Sequence, residues 1–315
     1  MRIGLLGASG FVGSAVRRAL LDDGHEVVVA PAPRLVTTAR SIDEIAAEAA
    51  CANLPAELAA FDSCAAVINA AGLAVPGEGA TDSLFGANGL LPALLARALS
   101  VRPGRRLVHV SSAAVHGAAR LLDERLPVQP TTPYGRSKLI GELAATQAGD
   151  GTVSLVLYRP TSVHGISRPL TRSLVRFSRS PLSSVAGEGR MPTPQVLVEN
   201  VAATAVFLAT CDRTPTSPVL HPWEDLTTGD LLTGLGGGRE PHHVPGPVAR
   251  ATVSTALRLG LLHPSIKAHA RRLEMLWLGQ AQVPGWLAAH GPAPVRTWPE
   301  AFADLAAGTH AGDCA

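Results

Sequence analysis

The amino-acid sequence predicts an α/β protein: a doubly wound parallel sheet over residues 1–162 and a smaller, less regular domain over 163–315. Three features carry that expectation. The first thirty residues read as strand, glycine turn, helix and strand, with Gly7, Gly10 and Gly13 in the turn. Short apolar runs then alternate with helically spaced segments as far as Leu157. Beyond Val163 the rhythm loosens into prolines, glycines and isolated helices.

Arg2-Ile3-Gly4-Leu5-Leu6 is an apolar run of strand length, and Phe11, Val12, Ala15, Val16, Ala19 and Leu20 recur at helical spacing. That helix should end at Asp22-Asp23-Gly24, where glycine takes a left-handed cap without steric cost. His25 to Ala30 reads as a buried strand. Ser41-Ile42-Asp43-Glu44 has capping-box spacing, so hydroxyl and carboxylate would each satisfy a free N–H as a helix opens. Ala65–Ala70 and Arg106–Val110 are strands, and Leu90–Leu99 is a helix. Tyr134 to about Gln147 is another helix, followed by a strand over Val153–Leu157. Helices are expected near 199–211, 247–259 and 264–279, with 196–222 returning to the sheet. Strands alternating with helices pair in parallel, and such sheets bind ligands at their carboxyl edge. The second domain would cover that edge and bind substrate. No repeat or low-complexity tract interrupts the chain, and only the end after Ala307 reads as loose.

Composition narrows the function. With 315 residues, 46% of them hydrophobic, the chain can bury a large core. Net charge is +2, dispersed, and aromatics are only 4%, so there is no basic stripe with interleaved aromatics to hold nucleic acid. Mean hydropathy is +0.21, yet no run of about 18 apolar residues is free of polar interruption, which excludes a membrane helix. A strand starting at Arg2 leaves no room for a leader peptide. Cys51, Cys64, Cys211 and Cys314 are scattered, as suits a reducing cytoplasm. His242-His243 reads as a polar loop beside Gly236-Gly237-Gly238, since neighbours point apart and no third ligand is in view; no metal is expected.

Gly7, Gly10 and Gly13 between strand and helix form the turn of a Rossmann dinucleotide site. Glycine permits the tight turn and the close approach of a diphosphate, and the helix end supplies free N–H groups. An acidic residue at the end of the second strand would bind the ribose of NAD. Ala30-Pro31-Ala32-Pro33-Arg34 stands there instead, and Arg34 could pair with a 2′-phosphate, so NADP is favoured over NAD.

The chain has two tyrosines and, among 27 basic residues, two lysines; one of each forms Tyr134-Gly135-Arg136-Ser137-Lys138. Chance placement would produce that spacing roughly 1% of the time. Four residues apart on a helix, a phenol and an ammonium share one face. A cation nearby lowers a phenol's pKa, which makes such a pair a proton-transfer device.

Further segments follow in order: Asn69-Ala70-Ala71-Gly72, Asn88 opening its helix, and Val110-Ser111-Ser112-Ala113-Ala114-Val115-His116-Gly117. After Tyr134-x-x-x-Lys138 come Arg159-Pro160-Thr161-Ser162-Val163-His164-Gly165 and Val198-Glu199-Asn200-Val201-Ala202. Over about residues 3–205 this ensemble resembles the extended short-chain dehydrogenase/reductase family, also called the NAD-dependent epimerase/dehydratase family. The resemblance implies that Tyr134 is the catalytic acid/base. Lys138 would lower its pKa and hold the nicotinamide ribose, and Ser112 would hydrogen-bond the substrate oxygen. It implies cofactor contacts from Gly7, Ser9, Gly10, Phe11, Val12, Gly13, Arg34, Asn69, Ala70, Ala71, Asn88, Tyr134, Lys138, Pro160 and Val163. Substrate contacts would come from Ser112, Ala113, Ser162, His164 and Arg190, and a homodimer would form through the helices beginning near Asn88 and Tyr134.

Departures from the family pattern bear on the substrate. Ala113 and Ala114 replace the acidic pair of dehydratases. His116 and His164 replace tyrosines and read as packing or hydrogen-bonding substitutes. Ser162 and Thr193 stand where sugar-nucleotide enzymes carry asparagine and arginine, leaving Arg190 or an arginine within 168–179 for a substrate diphosphate. The function expected is hydride transfer between nicotinamide and a ketone or secondary alcohol, as in a keto-sugar 4-ketoreductase, nucleotide-activated or not. A sugar epimerase that retains its cofactor is the alternative. A non-catalytic nucleotide sensor would have no need to keep Ser112, Tyr134 and Lys138 together.

Overall fold

The structure, a computed structural model, describes residues 1–74, 79–260 and 264–307, apart from the side chains of 264–269. Its first half runs β1 (Arg2–Leu6), α1 (Phe11–Asp22), β2 (Glu26–Ala30), α2 (Ile42–Cys51), β3 (Ala66–Asn69), α3 (Asp82–Phe85), α4 (Leu91–Ser100), β4 (Arg106–Val110), β5 (Leu121–Leu122), α5 (Pro133–Ala148) and β6 (Ser154–Arg159). Then follow β7 (Ser162–His164), α6 (Pro169–Arg179), β8 (Ser184–Ala186), β9 (Gln195–Leu197), α7 (Val198–Thr210), β10 (Val219–Leu220) and α8 (Thr228–Leu235). β11 (His242–Val244), α9 (Gly246–Leu259), α10 (Pro264–Leu278), β12 (Ala281–Gln282), α11 (Trp286–His290) and α12 (Trp298–Ala307) complete the chain.

Six strands form one parallel sheet in the order β10-β6-β4-β3-β1-β2. The chain leaves β1 toward β2 and then returns to β1's other side as β3, so the order reverses there. Crevices for ligands open at the carboxyl ends beside such a reversal. Alternation along each strand feeds two cores. Leu6, Val67 and Leu107 pack against α2, α4 and α5 through Ile45, Leu94 and Ala144. Ile3, Leu5 and Val108 face the opposite side, where α1 and α7 contribute Val16, Leu20, Val201 and Leu208. Each fully buried leucine contributes about 1.5–3 kcal/mol by leaving water.

Several sequence expectations hold in detail. Gly24 has φ +73°, and Ser41 and Glu44 form the reciprocal capping box. α7 lies on the sheet and β10 pairs with β6. Three readings need correction. β2 is an edge strand rather than a buried one, with Val29 46% exposed. The helix expected at Leu90 begins at Asp82, capped by Thr81, and reaches α4 through a π turn at Gly86–Leu90. His242-His243 is a strand paired with β8, and His243 Nδ1 donates to the Gly187 carbonyl at 2.7 Å.

Beyond β7, α6, α8 and α12 enclose Val175, Leu231, Leu235 and Leu305, while Ala249, Val253 and Trp277 of α9 and α10 form a further cluster. The end after Ala307, Cys314 and the Lys267 side chain lie outside the described residues. No described helix is long and apolar enough to cross a membrane, and no described group of His, Cys, Asp and Glu could hold a metal ion.

Candidate active site

The glycine turn shapes the crevice floor. Gly7 has φ +86°, and a Cβ there would lie 2.5 Å from the Ala71 nitrogen. A Cβ on Gly13 would lie 2.0 Å from the Gly7 carbonyl oxygen, so only glycine lets α1 sit flush on the end of β1. α1 opens at Gly10 with no side-chain cap and no acidic residue in its first turn. The N–H groups of that turn have no intrahelical partner, which makes this end a receptor for an anion. Ser9 and Gly10 are exposed on the turn, and Phe11 and Val12 are half-buried behind it.

Asn69, fully buried at the end of β3, holds the neighbouring wall. Its Oδ1 accepts from the Ala71 N–H at 3.1 Å, and its Nδ2 meets His109 Nδ1 at 3.1 Å. Burial keeps His109 well below the usual histidine range, hence neutral, so Nδ1 accepts from the amide. Ala70 N–H donates to the Leu6 carbonyl, tying β3 to β1. Arg34, exposed in the segment after β2, has no ion-pair partner among the described residues.

Strand alternation separates the two serines after β4. Ser111 turns inward and is 4% exposed, with no partner for its Oγ among the described residues. Ser112 caps the next 3₁₀ turn, accepting from the Ala114 N–H at 3.1 Å, and its hydroxyl stands close enough to Tyr134 to pull the phenol's pKa down. The Ala113 N–H donates to the Pro160 carbonyl at 2.9 Å, joining the chain after β4 to the chain after β6.

Tyr134 stands in the first turn of α5, which Thr132 caps through a 3.0 Å bond from the Gly135 N–H and Pro133 pre-sets. One turn on, Lys138 is buried and donates from Nζ to the Val110 carbonyl at 3.1 Å. Burial pushes the Lys138 pKa down to about 8, against the pull of the Glu142 carboxylate. Burial likewise pushes the Tyr134 phenol up, opposed by the Ser112 bond and by the charge of Arg168. Burial outweighs both, and the cation that opposes it is Arg168.

Asn88 is an internal residue of the π turn, where the extra residue per turn re-aims side chains. Its Oδ1 accepts from the Leu73 N–H at 2.9 Å, and its Nδ2 donates to the Leu73 carbonyl and to Ser137 Oγ. Gly72 leaves the space for this cluster: a Cβ would lie 2.7 Å from Asn88 Oδ1 and 2.9 Å from Lys138 Nζ. Gly72→Ala should displace both groups. We expect about 1–3 kcal/mol of destabilisation by overpacking, with at least a tenfold fall in turnover, read by thermal melting and steady-state kinetics. Unchanged kinetics would show that the placement of Lys138 is not critical.

Glu142, on the same face of α5, forms a buried pair with Arg159 in which both side chains are 1% exposed. Arg159 Nε donates to Oε1 at 2.9 Å and its second nitrogen to Oε2 at 2.5 Å. Sequence reasoning did not single out this pair, although Glu142 continues the four-residue spacing from Tyr134 and Lys138. Arg168 also escaped individual notice. Its guanidinium donates to the Val163 carbonyl and lies 5.4 Å over the Phe11 ring.

Two expected substrate residues take contrasting positions. His164 is 1% exposed, held by Thr171, Gln195 and Ser162 and packed edge-on to Trp298. Burial pushes its pKa down to about 4, so it is a neutral packing residue. Ser162 is spent on that bond to His164 at 3.1 Å, and Val163 is buried. Arg190 is 85% exposed and pairs with Glu188 in solvent at 3.0 Å. His116 is buried, its pKa also pushed down to about 4. The other described tyrosine, Tyr158, is an interior residue bonded to His221 Nδ1 at 2.6 Å.

A model of the NAD dependent epimerase/dehydratase family matches residues 3–210. Among solved structures, human epimerase family protein SDR39U1 (isoform2) with NADPH superposes with a TM-score of 0.65 at 21% identity, over 98% of this chain and 99% of that one. UDP-glucuronic acid 4-epimerase from Bacillus cereus in complex with NAD gives 0.65 at 15% identity, over 99% of each chain. A dTDP-4-dehydrorhamnose reductase from Clostridium acetobutylicum gives 0.54 at 18% identity, over 78% of this chain and 83% of that one. No curated protein sequence matches. The family match spans well over half of the chain and the glycine turn, Ser112, Tyr134 and Lys138 all fall within it: the chain belongs to the NAD-dependent epimerase/dehydratase family.

Proposed function

We propose that this chain is a keto-sugar 4-ketoreductase, free or nucleotide-activated in its substrate, that favours NADP. The observation supporting it most is the Ser112–Tyr134 hydroxyl pair, one helical turn from buried Lys138, at the carboxyl end of β4. The uncapped α1 terminus, on a turn that Gly7 and Gly13 let pack directly against Ala71 and α1, fits a dinucleotide. N–H groups of Phe11, Val12 and Gly13 would hold its diphosphate, and Lys138 its nicotinamide ribose. When bound, the nicotinamide supplies or accepts the hydride.

The chain's own groups handle the oxygen and the proton. Ser112 donates to the carbonyl oxygen, where charge develops during reduction. Tyr134 delivers its O–H proton to that oxygen as it becomes an alkoxide. Burial keeps the phenol protonated at neutral pH, which suits an acid in the reductive direction. The Lys138 ammonium, with a pKa of about 8, is largely charged at neutral pH. Ala113 and Ala114 put no carboxylate beside Ser112, so elimination of water has no base there. Placement in the cytoplasm and a homodimer through α4 and α5 belong to the same reading.

Stoichiometric NADPH consumption with 4-keto-sugars tests the proposal. A tightly retained NAD, with isomerisation and no net consumption, would replace it by the epimerase reading. Arg34, without an ion-pair partner among the described residues, supports NADP. Arg34→Ala should weaken NADPH binding by about 10–100-fold, the worth of a charge-assisted contact, and leave NADH nearly untouched. Equal losses for both would remove the preference.

A further inference from the structure

Arg168 precedes α6 and is half-buried in the connection from β7. One terminal nitrogen is tethered to the Val163 carbonyl, and the guanidinium lies over Phe11, the first residue of α1. Its remaining N–H groups have no hydrogen-bond partner, and no carboxylate lies within ion-pair distance, among the described residues. A guanidinium drawn partly out of water without a counter-ion is costly until an anion arrives. The adjoining end of α1 has the same deficit, with free N–H groups and neither an acidic residue nor a side-chain cap. Two unpaired positive features thus meet at one place.

We propose that Arg168 is a clamp for the cofactor's diphosphate, acting with the N-terminus of α1. This rests on the dinucleotide reading of the site and adds a residue from beyond the glycine turn. The Val163 tether uses one N–H and leaves the rest of the planar fork for phosphate oxygens. A lysine, offering a single point of charge on a flexible stem, would replace it poorly. The charge of Arg168 also reaches Tyr134, so a filled clamp would partly neutralise a cation beside the acid.

Titration of the full chain with NADPH, NADH, ADP-ribose and adenosine, followed by calorimetry, tests this. Arg168→Met should weaken both dinucleotides and ADP-ribose by about 10–100-fold and leave adenosine unchanged; Arg168→Lys should recover only part of the loss. Circular dichroism of each variant establishes that it is folded. Folded Arg168→Met that binds ADP-ribose and NADPH normally overturns the clamp. A loss confined to KM for the ketone also overturns it and gives Arg168 to the substrate. Failure of the unsubstituted chain to bind either dinucleotide would instead overturn the cofactor reading on which the clamp depends.

Discussion

Tyr134→Phe should lower turnover by about 10²–10⁴-fold, the worth of a positioned general acid, while leaving NADPH affinity within about twofold. Phenylalanine keeps the ring and its packing in α5 and removes only the O–H. Ser112 then stands without the phenol beside it. Of the nearby histidines, His116 and His164 have pKa values pushed to about 4 by burial. They carry no acidic proton at neutral pH and cannot substitute. Steady-state reduction of a ketone beside a direct NADPH titration separates the two effects. Near-normal turnover would remove Tyr134 from the chemistry and the ketoreductase proposal with it.

Glu142→Leu should destabilise the fold by about 3–5 kcal/mol, because it strands a buried cation. Arg159 is 1% exposed and already has one nitrogen without a partner among the described residues. Denaturant melts of Glu142→Leu, Arg159→Met and the double variant test this. The double variant should recover most of the loss, since two apolar groups need no counter-charge. Equal stability in all four proteins would mean that water reaches the pair. A catalytic signature should accompany the loss. The Glu142 charge holds the Lys138 pKa up against burial, so its removal should carry that pKa below about 8. The ammonium would then be lost at lower pH, and the basic limb of the rate profile should move in the acid direction.

Much of the scaffold is legible from local chemistry. β1, the glycine turn, α1 with its Gly24 terminus, and the Ser41–Glu44 box are specified by residues within one turn of each other. The scarcity of tyrosine and lysine likewise marks Tyr134 and Lys138 before any geometry is known. The readings that failed depend on partners remote in sequence. β2 has the apolar run of an interior strand, but it stands at the sheet's edge with a neighbour on one side only. Asn88 resembles a helix cap until the π turn places it inside a helix and against Leu73 and Ser137.

By itself the sequence determined the alternating parallel architecture, the anion-receptive turn, and the order of serine, tyrosine and lysine along the chain. Periodicity and glycine stereochemistry act over a few residues and need no knowledge of the fold. Tertiary structure decided the electrostatics. Burial sets the direction of the Tyr134 shift, and Arg168 supplies an opposing charge across 34 positions of sequence. It also placed His164 in the core and Arg190 in solvent. Charge and desolvation act through space, so which cation meets which anion is settled only once the chain has closed on itself.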